Sequence, residues 1–185
     1  EGVTAIPENA FQYCYNLASV TLPSTLISIE RYAFNSCPFT SIDLPDGLIK
    51  IGYSAFNSCK SLKNFDIPDT VTYIGTNAFE FSPCIEVADG IHYVDNWVVD
   101  SEEDVENVVP RDDTVGIAEM SFQFSYYIKN VDFPESVKYV CDVVIVSTGY
   151  YPYELHYRAS YINMEYTRDM ISSFFMENEG VRVAL

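Results

Sequence analysis

Five cysteines, two histidines and a surplus of carboxylates are the residues of this chain whose types could do chemistry, and their spacing sorts them. Cys14, Cys37 and Cys59 recur 23 and 22 residues apart. Such a row could cross-link neighbours, hold a soft metal, or serve as small buried rungs. A tetrahedral metal centre draws on closely spaced ligand pairs, and no C-x-x-C is present, so neither a metal nor another cofactor is expected. With Cys84 and Cys141 the count is odd, one thiol is left over in any disulfide scheme, and the buried rung is the expected role. His92 and His156 lie in separate parts of the chain, with no H-E-x-x-H, G-x-S-x-G or phosphate-cradling glycine loop. Asp43 and Asp66 could oppose one another as glycosidase carboxylates do, but a repeated position creates such pairs without any catalytic cause. No catalytic residue is assigned and no enzymatic activity is expected. Ten acidic residues fall between Glu86 and Asp113 without the D-x-[DN]-x-[DN]-G spacing of a calcium loop, which points to a solvated, charged loop.

The elements that must position these groups come from a repeated phrase. Ala10-Phe11, Ala33-Phe34, Ala55-Phe56 and Ala78-Phe79 follow one another at 23, 22 and 23 residues, each preceded by Ile6, Ile29, Ile51 or Ile74. A period in this range marks a solenoid, whose coils bury their apolar faces only against their neighbours. Downstream of each phenylalanine lies a second phrase: Val20-Thr-Leu22-Pro23, Ile42-Asp-Leu44-Pro45, Phe65-Asp-Ile67-Pro68 and Val131-Asp-Phe133-Pro134. Its alternation predicts a short strand with one buried face, ended by a proline that cannot donate to a ladder. A return segment follows, Leu26–Ile29, Leu48–Ile51, Val71–Ile74 and Val137–Val140. Alanine then allows close approach and phenylalanine fills the space between the walls. Between residues 85 and 113 a variant coil is expected, with a hairpin of Ile91–Val94 and Trp97–Val99 around Asp95-Asn96. The frame resumes at Val115 and fades after Ile145.

The interleaved phrases Ile-Gly-x-x-Ala-Phe-x-x-Cys-x-x-Leu and Val-x-Leu-Pro-x-x-Val-x-x-Ile resemble the BspA-like subclass of leucine-rich repeats over residues 3 to about 145. The resemblance implies a leucine-rich-repeat-type right-handed coil with short parallel strands, in about seven coils of 22 to 23 residues. The domains are then residues 1–145 as solenoid and 146–185 as a degenerate last coil with a C-terminal cap. It further implies a bacterial cell-surface or secreted protein that binds macromolecules of a host or neighbouring cell, without catalysis and without a residue-by-residue binding motif to transfer.

The outward positions of the Val-x-Leu phrase make the candidate binding lane: Ser19, Thr21, Ser41, Asp43, Asn64, Asp66, Asn130 and Asp132. It is small, polar and increasingly acidic, and suits a protein or glycan ligand; a passive spacer role is the alternative. With 27 Asp and Glu against 10 Lys and Arg, the chain's field repels nucleic acid and anionic lipid. No apolar run approaches the roughly 20 residues of a membrane span, and a monomer is expected. The chain enters partway through a repeat at Val3, as a mature fragment with any export signal upstream would. The tyrosine-rich tail, with a helix expected over Met164–Glu177, reads as a cap over the last open core.

Overall fold

The computed structural model describes residues 2–125, 127–128 and 130–141, and beyond these the backbone of three short strands, 144–145, 155–156 and 182–184. The chain is a β-solenoid of short parallel strands, with about six turns among the described residues. It divides into two compact units, Glu1–Glu86 and Val87–Leu185. The helix and tyrosine cap expected after residue 146 lie outside the described residues. Among those described, no helix is long and apolar enough to cross a membrane.

In the first unit, β1 (Ala5–Ile6), β2 (Ser28–Ile29), β3 (Lys50–Ile51) and β4 (Tyr73–Ile74) form one parallel sheet in chain order. Ile6, Ile29, Ile51 and Ile74 stand in register, the last three fully buried. The ladder therefore runs through the return segment, whereas the Val-x-Leu-Pro phrases of this unit, expected as strands, stay irregular. The backbone bonds explain the exchange. The return segment donates repeatedly to the previous coil, Ile27 N–H to Thr4 O at 2.7 Å, Ile49 N–H to Ile27 O at 2.8 Å and Gly52 N–H to Ile29 O at 2.8 Å. Of the four proline-ended phrases, one joins a ladder among the described residues, Asn130–Asp132 of the second unit. In the first unit the alternation survives without a ladder: Ile42 and Phe65 are buried between exposed neighbours.

The Ala-Phe corners build the spine. Phe11, Phe34, Phe56 and Phe79 stack with centroids 5.3, 5.5 and 5.8 Å apart and planes within 17° of parallel. Phe39 and Phe65 meet them edge-on from the opposite wall, Phe65 at 4.9 Å from Phe56. Around each phenylalanine the backbone turns left-handed twice, at Asn9 and Tyr13, Tyr32 and Ser36, Ser54 and Ser58, Asn77 and Phe81, with φ between 51° and 61°. Each such non-glycine residue costs on the order of 1 kcal/mol. In return, successive N–H groups alternate in direction. Asn9, Phe11 and Tyr13 donate to Arg31, Ala33 and Asn35 of the next coil at 2.8–3.0 Å, while Ala10, Gln12 and Cys14 close turns within their own. No backbone donor of the corner is wasted, which is what a buried turn requires.

From the boundary with the second unit onward come β5 (Glu86–Ala88), β6 (Ile91–Val94) and β7 (Trp97–Ser101). The last two are the expected hairpin, antiparallel about Asp95-Asn96, with Asp95 left-handed. Next come β8 (Asn107–Val108), β9 (Gly116–Ile117), β10 (Asn130–Asp132) and β11 (Tyr139–Val140). β7, β9 and β11 run parallel in one sheet, with β6 and β5 beyond β7. A second parallel sheet holds β8, β10 and, after β12 (Val144–Ile145) and β13 (Leu155–His156), the terminal β14 (Arg182–Ala184). β12 and β13 pair antiparallel where an Ala-Phe corner would stand. Val98, Ile117, Phe122 and Val131 fill the core of this unit.

Candidate functional site

Of the expected lane, Ser19, Thr21, Ser41, Asp43, Asn64, Asp66 and Asp132 are exposed and Asn130 is half-buried, while Val131, between Asn130 and Asp132, is fully buried. In the first unit, three successive coils each offer two outward side chains: hydroxyls from the first, a hydroxyl and a carboxylate from the second, an amide and a carboxylate from the third. Equivalent positions on stacked coils recur coil after coil, an arrangement that can present hydrogen-bonding groups in series to an extended polar ligand. In the second unit the lane gains a member that the sequence reading passed over. Asn107 of β8 lies opposite Asn130 of β10, and the Asn130 amide donates to Asn107 Oδ1 at 2.6 Å. The signal was present in the sequence, as Asn-Val stands at 107–108 and again at 130–131.

The cysteine row has a more definite job than filling. Cys37 Sγ donates to Phe11 O and Cys59 Sγ to Phe34 O, both at 3.2 Å. Ser82 stands at the same place in the next coil and shows the full device: its hydroxyl donates to Phe56 O at 2.8 Å and accepts from Cys59 N–H at 2.9 Å. Each S–H or O–H thus clips a coil onto the backbone of the one before it. Cys14, Cys37, Cys59 and Cys84 form no disulfide; the last three are buried and Cys14 is half-exposed. Burial pushes the Cys37 and Cys84 thiols up to about 11 and the Cys59 thiol to about 12, so they stay protonated and poorly nucleophilic. In the folded protein at mildly alkaline pH, iodoacetamide is expected to label Cys14 and to reach Cys37, Cys59 and Cys84 only after denaturation. Peptide mass spectrometry reads the labels, and modification of Cys59 as fast as Cys14 would refute the clip.

The remaining chemical groups are separated or satisfied. His92 Nδ1 lies 3.8 Å from Asp100 Oδ2 across the β6–β7 hairpin; burial raises the Asp100 carboxyl, and its Oδ1 accepts from Ser101 N–H at 2.9 Å. Arg111, within the acidic segment, lies over the Tyr93 ring at 4.1 Å, and its Nε is 3.5 Å from Asp113. Its guanidinium also donates to Asp95 O. This packs the segment onto the hairpin. Among the described residues, no cluster of three or more His, Cys, Asp or Glu side chains could hold a metal ion.

Residues 1–89 match the family model described as the BspA type leucine rich repeat region, in six copies. Solved structures similar to the chain include a leucine rich cell surface protein from Faecalibacterium prausnitzii A2-165, at 25% identity and TM-score 0.40, covering 80% of this chain and 36% of that one. The pneumococcal vaccine antigen PcpA shares 18% identity over 75% of this chain and 52% of its own, at TM-score 0.38. A leucine-rich repeat protein from Bacteroides ovatus ATCC 8483 shares 21% over 78% and 48%, at TM-score 0.40. The chain thus spans between 36% and 52% of the length of these proteins. No curated protein matches it.

Proposed function

Because residues 1–89 belong to the BspA-type leucine-rich repeats, we propose that this chain is a non-catalytic recognition or adhesion module. It acts outside the cell or at the cell surface and binds a protein or glycan of a host or neighbouring cell. The observation that carries the reading is the polar lane, where Ser19, Thr21, Ser41, Asp43, Asn64 and Asp66 stand exposed, the last four on either side of the buried Ile42 and Phe65. Repeat scaffolds use such extended faces for binding, because the coils hold the face rigid without help from it. Carboxylates on a chain of formal net charge −17 favour a partner with a cationic patch. The chain acts as a monomer in this reading.

The second reading, a passive spacer within a larger surface protein, draws on the inter-coil bonding: corner donors and cysteine clips are satisfied internally, which is all that a spacer needs. Immobilised chain exposed to matrix proteins, mucins and glycans separates the two, since a spacer retains nothing. For a retained partner, Asp43→Lys with Asp66→Lys is expected to weaken binding about tenfold, equivalent to about 1.4 kcal/mol. The melting temperature should hold. Unchanged affinity with an intact fold removes the lane from the contact surface.

A further inference from the structure

Most left-handed corner positions carry residues suited to them. Three carry bulky aromatics: Tyr13 and Phe81 after the phenylalanine, and Tyr32 before it at φ 56°, where the other coils have Asn9, Ser54 and Asn77. Tyr32 meets Tyr53 of the next coil edge-to-face, with centroids 5.3 Å apart and planes at 89°. The Arg31 guanidinium lies over both rings, 4.9 Å from the Tyr32 centroid and 5.2 Å from that of Tyr53. Two aromatic faces therefore hold the fork in place ahead of any ligand. Its ion pair is loose: Glu8 reaches Nε only at 3.9 Å, with both side chains 57% exposed, so water screens the pair and Glu8 can be displaced.

We propose that Arg31, Tyr32 and Tyr53 form a binding site for a sugar that carries one carboxylate, such as a uronic acid at the end of a glycan. The ligand carboxylate takes the place of Glu8 against the guanidinium, where planar fork and carboxylate fit in a bidentate pair. The pyranose lies along the tyrosines, whose apolar bodies receive C–H groups and whose hydroxyls receive sugar hydroxyls. A single charge is part of the assignment. The net charge of −17 repels polyanions, while one carboxylate loses little to that field and gains the local contact with Arg31. This site uses other positions of the repeat than the strand lane, and the two stand or fall separately.

Titration of the full chain with methyl glucuronide, followed by calorimetry or amide NMR, is expected to saturate with a Kd on the order of 1 mM. Methyl glucoside, which has the ring without the charge, and acetate, which has the charge without the ring, should each bind at least about tenfold more weakly. Arg31→Lys keeps the charge but loses the fork, and should weaken binding about fivefold or more. Tyr32→Asn installs the residue type found at 9 and 77; it should abolish binding without lowering the melting temperature. Glu8→Gln should tighten it. The assignment is overturned by a lack of saturation at about twenty times the expected Kd, by equal binding of methyl glucoside or acetate, or by full affinity in Arg31→Lys.

Discussion

Gly75→Ala should destabilise the first unit by about 2–3 kcal/mol, the penalty of overpacking a closed site. The sign is the telling part. Gly75 has no left-handed backbone, and an alanine in such a place ordinarily stabilises by about 0.4–1 kcal/mol through the unfolded chain. Here a Cβ would lie 2.6 Å from Tyr53 N, 2.9 Å from Gly52 C and 3.0 Å from Tyr53 Cα. All three are backbone atoms of the preceding coil, so no rotamer change relieves the clash. The coil must lift, and Gly75 N–H loses its 2.9 Å bond to Ile51 O. For a unit of this size the melting temperature should fall by roughly 10 °C or more. Gly47→Ala is the control, because its nearest neighbours would lie 3.8 and 3.9 Å away, and it should be neutral or slightly stabilising. Equal melting temperatures for the two variants would show that the coils do not approach as closely as Gly75 requires.

Gly116→Val should be comparably damaging in the second unit and visible by fluorescence. Gly116 lies in β9 between Trp97 of β7 and Tyr139 of β11. Those strands are two ladder steps apart, roughly 9.6 Å, yet the Trp97 and Tyr139 rings stack with centroids at 6.0 Å and planes 5° apart. They close over the glycine that separates them. A Cβ at 116 would lie 2.5 Å from Trp97 Cε3 and Cζ3. These are side-chain atoms, so the ring can swing away, but only by leaving a site where it is 1% exposed. Losing that burial and the stack together should cost about 3 kcal/mol. Trp97 is the sole tryptophan of the chain. Its emission should shift to the red and become open to acrylamide quenching, with Gly116→Ala in between. Wild-type emission and quenching in Gly116→Val would sink this account.

The period was readable from sequence because solenoid packing repeats the same demand in every coil. Phenylalanines at one position become one stack, as Phe34, Phe56 and Phe79 do, and the Asp95-Asn96 hairpin follows from turn chemistry alone. What escaped depends on the backbone more than on side-chain type. In the first unit the ladder passed to Ser28–Ile29 and its equivalents, while in the second both phrases pair, a difference in backbone hydrogen bonding that a hydropathy pattern does not carry. The left-handed corners were hidden because Asn, Ser, Tyr and Phe hold them in place of glycine. The cysteine clip looked like an apolar rung, though Ser82 at the same place in the repeat was a hint that the X–H donor matters. The strand lane could be read because alternation survives even where the strand does not. Asn107 needed the second sheet to reveal its partner, and the Arg31 cluster joins positions that do not repeat from coil to coil, so no periodic signal marks it.

The alternating bonds at the corners have a mechanical side. In the first unit, inter-coil hydrogen bonds point along the stacking direction, Phe11 N–H toward Ala33 O and Phe34 N–H toward Ala55 O. Tension applied between the ends of this unit therefore loads the bonds of one coil at a time, as a zip is opened and not as a lap joint is sheared. A coil of 22 or 23 residues that peels away releases about 75 Å of extended chain. The unit yields in steps while the coils behind the break keep their spine and their clips.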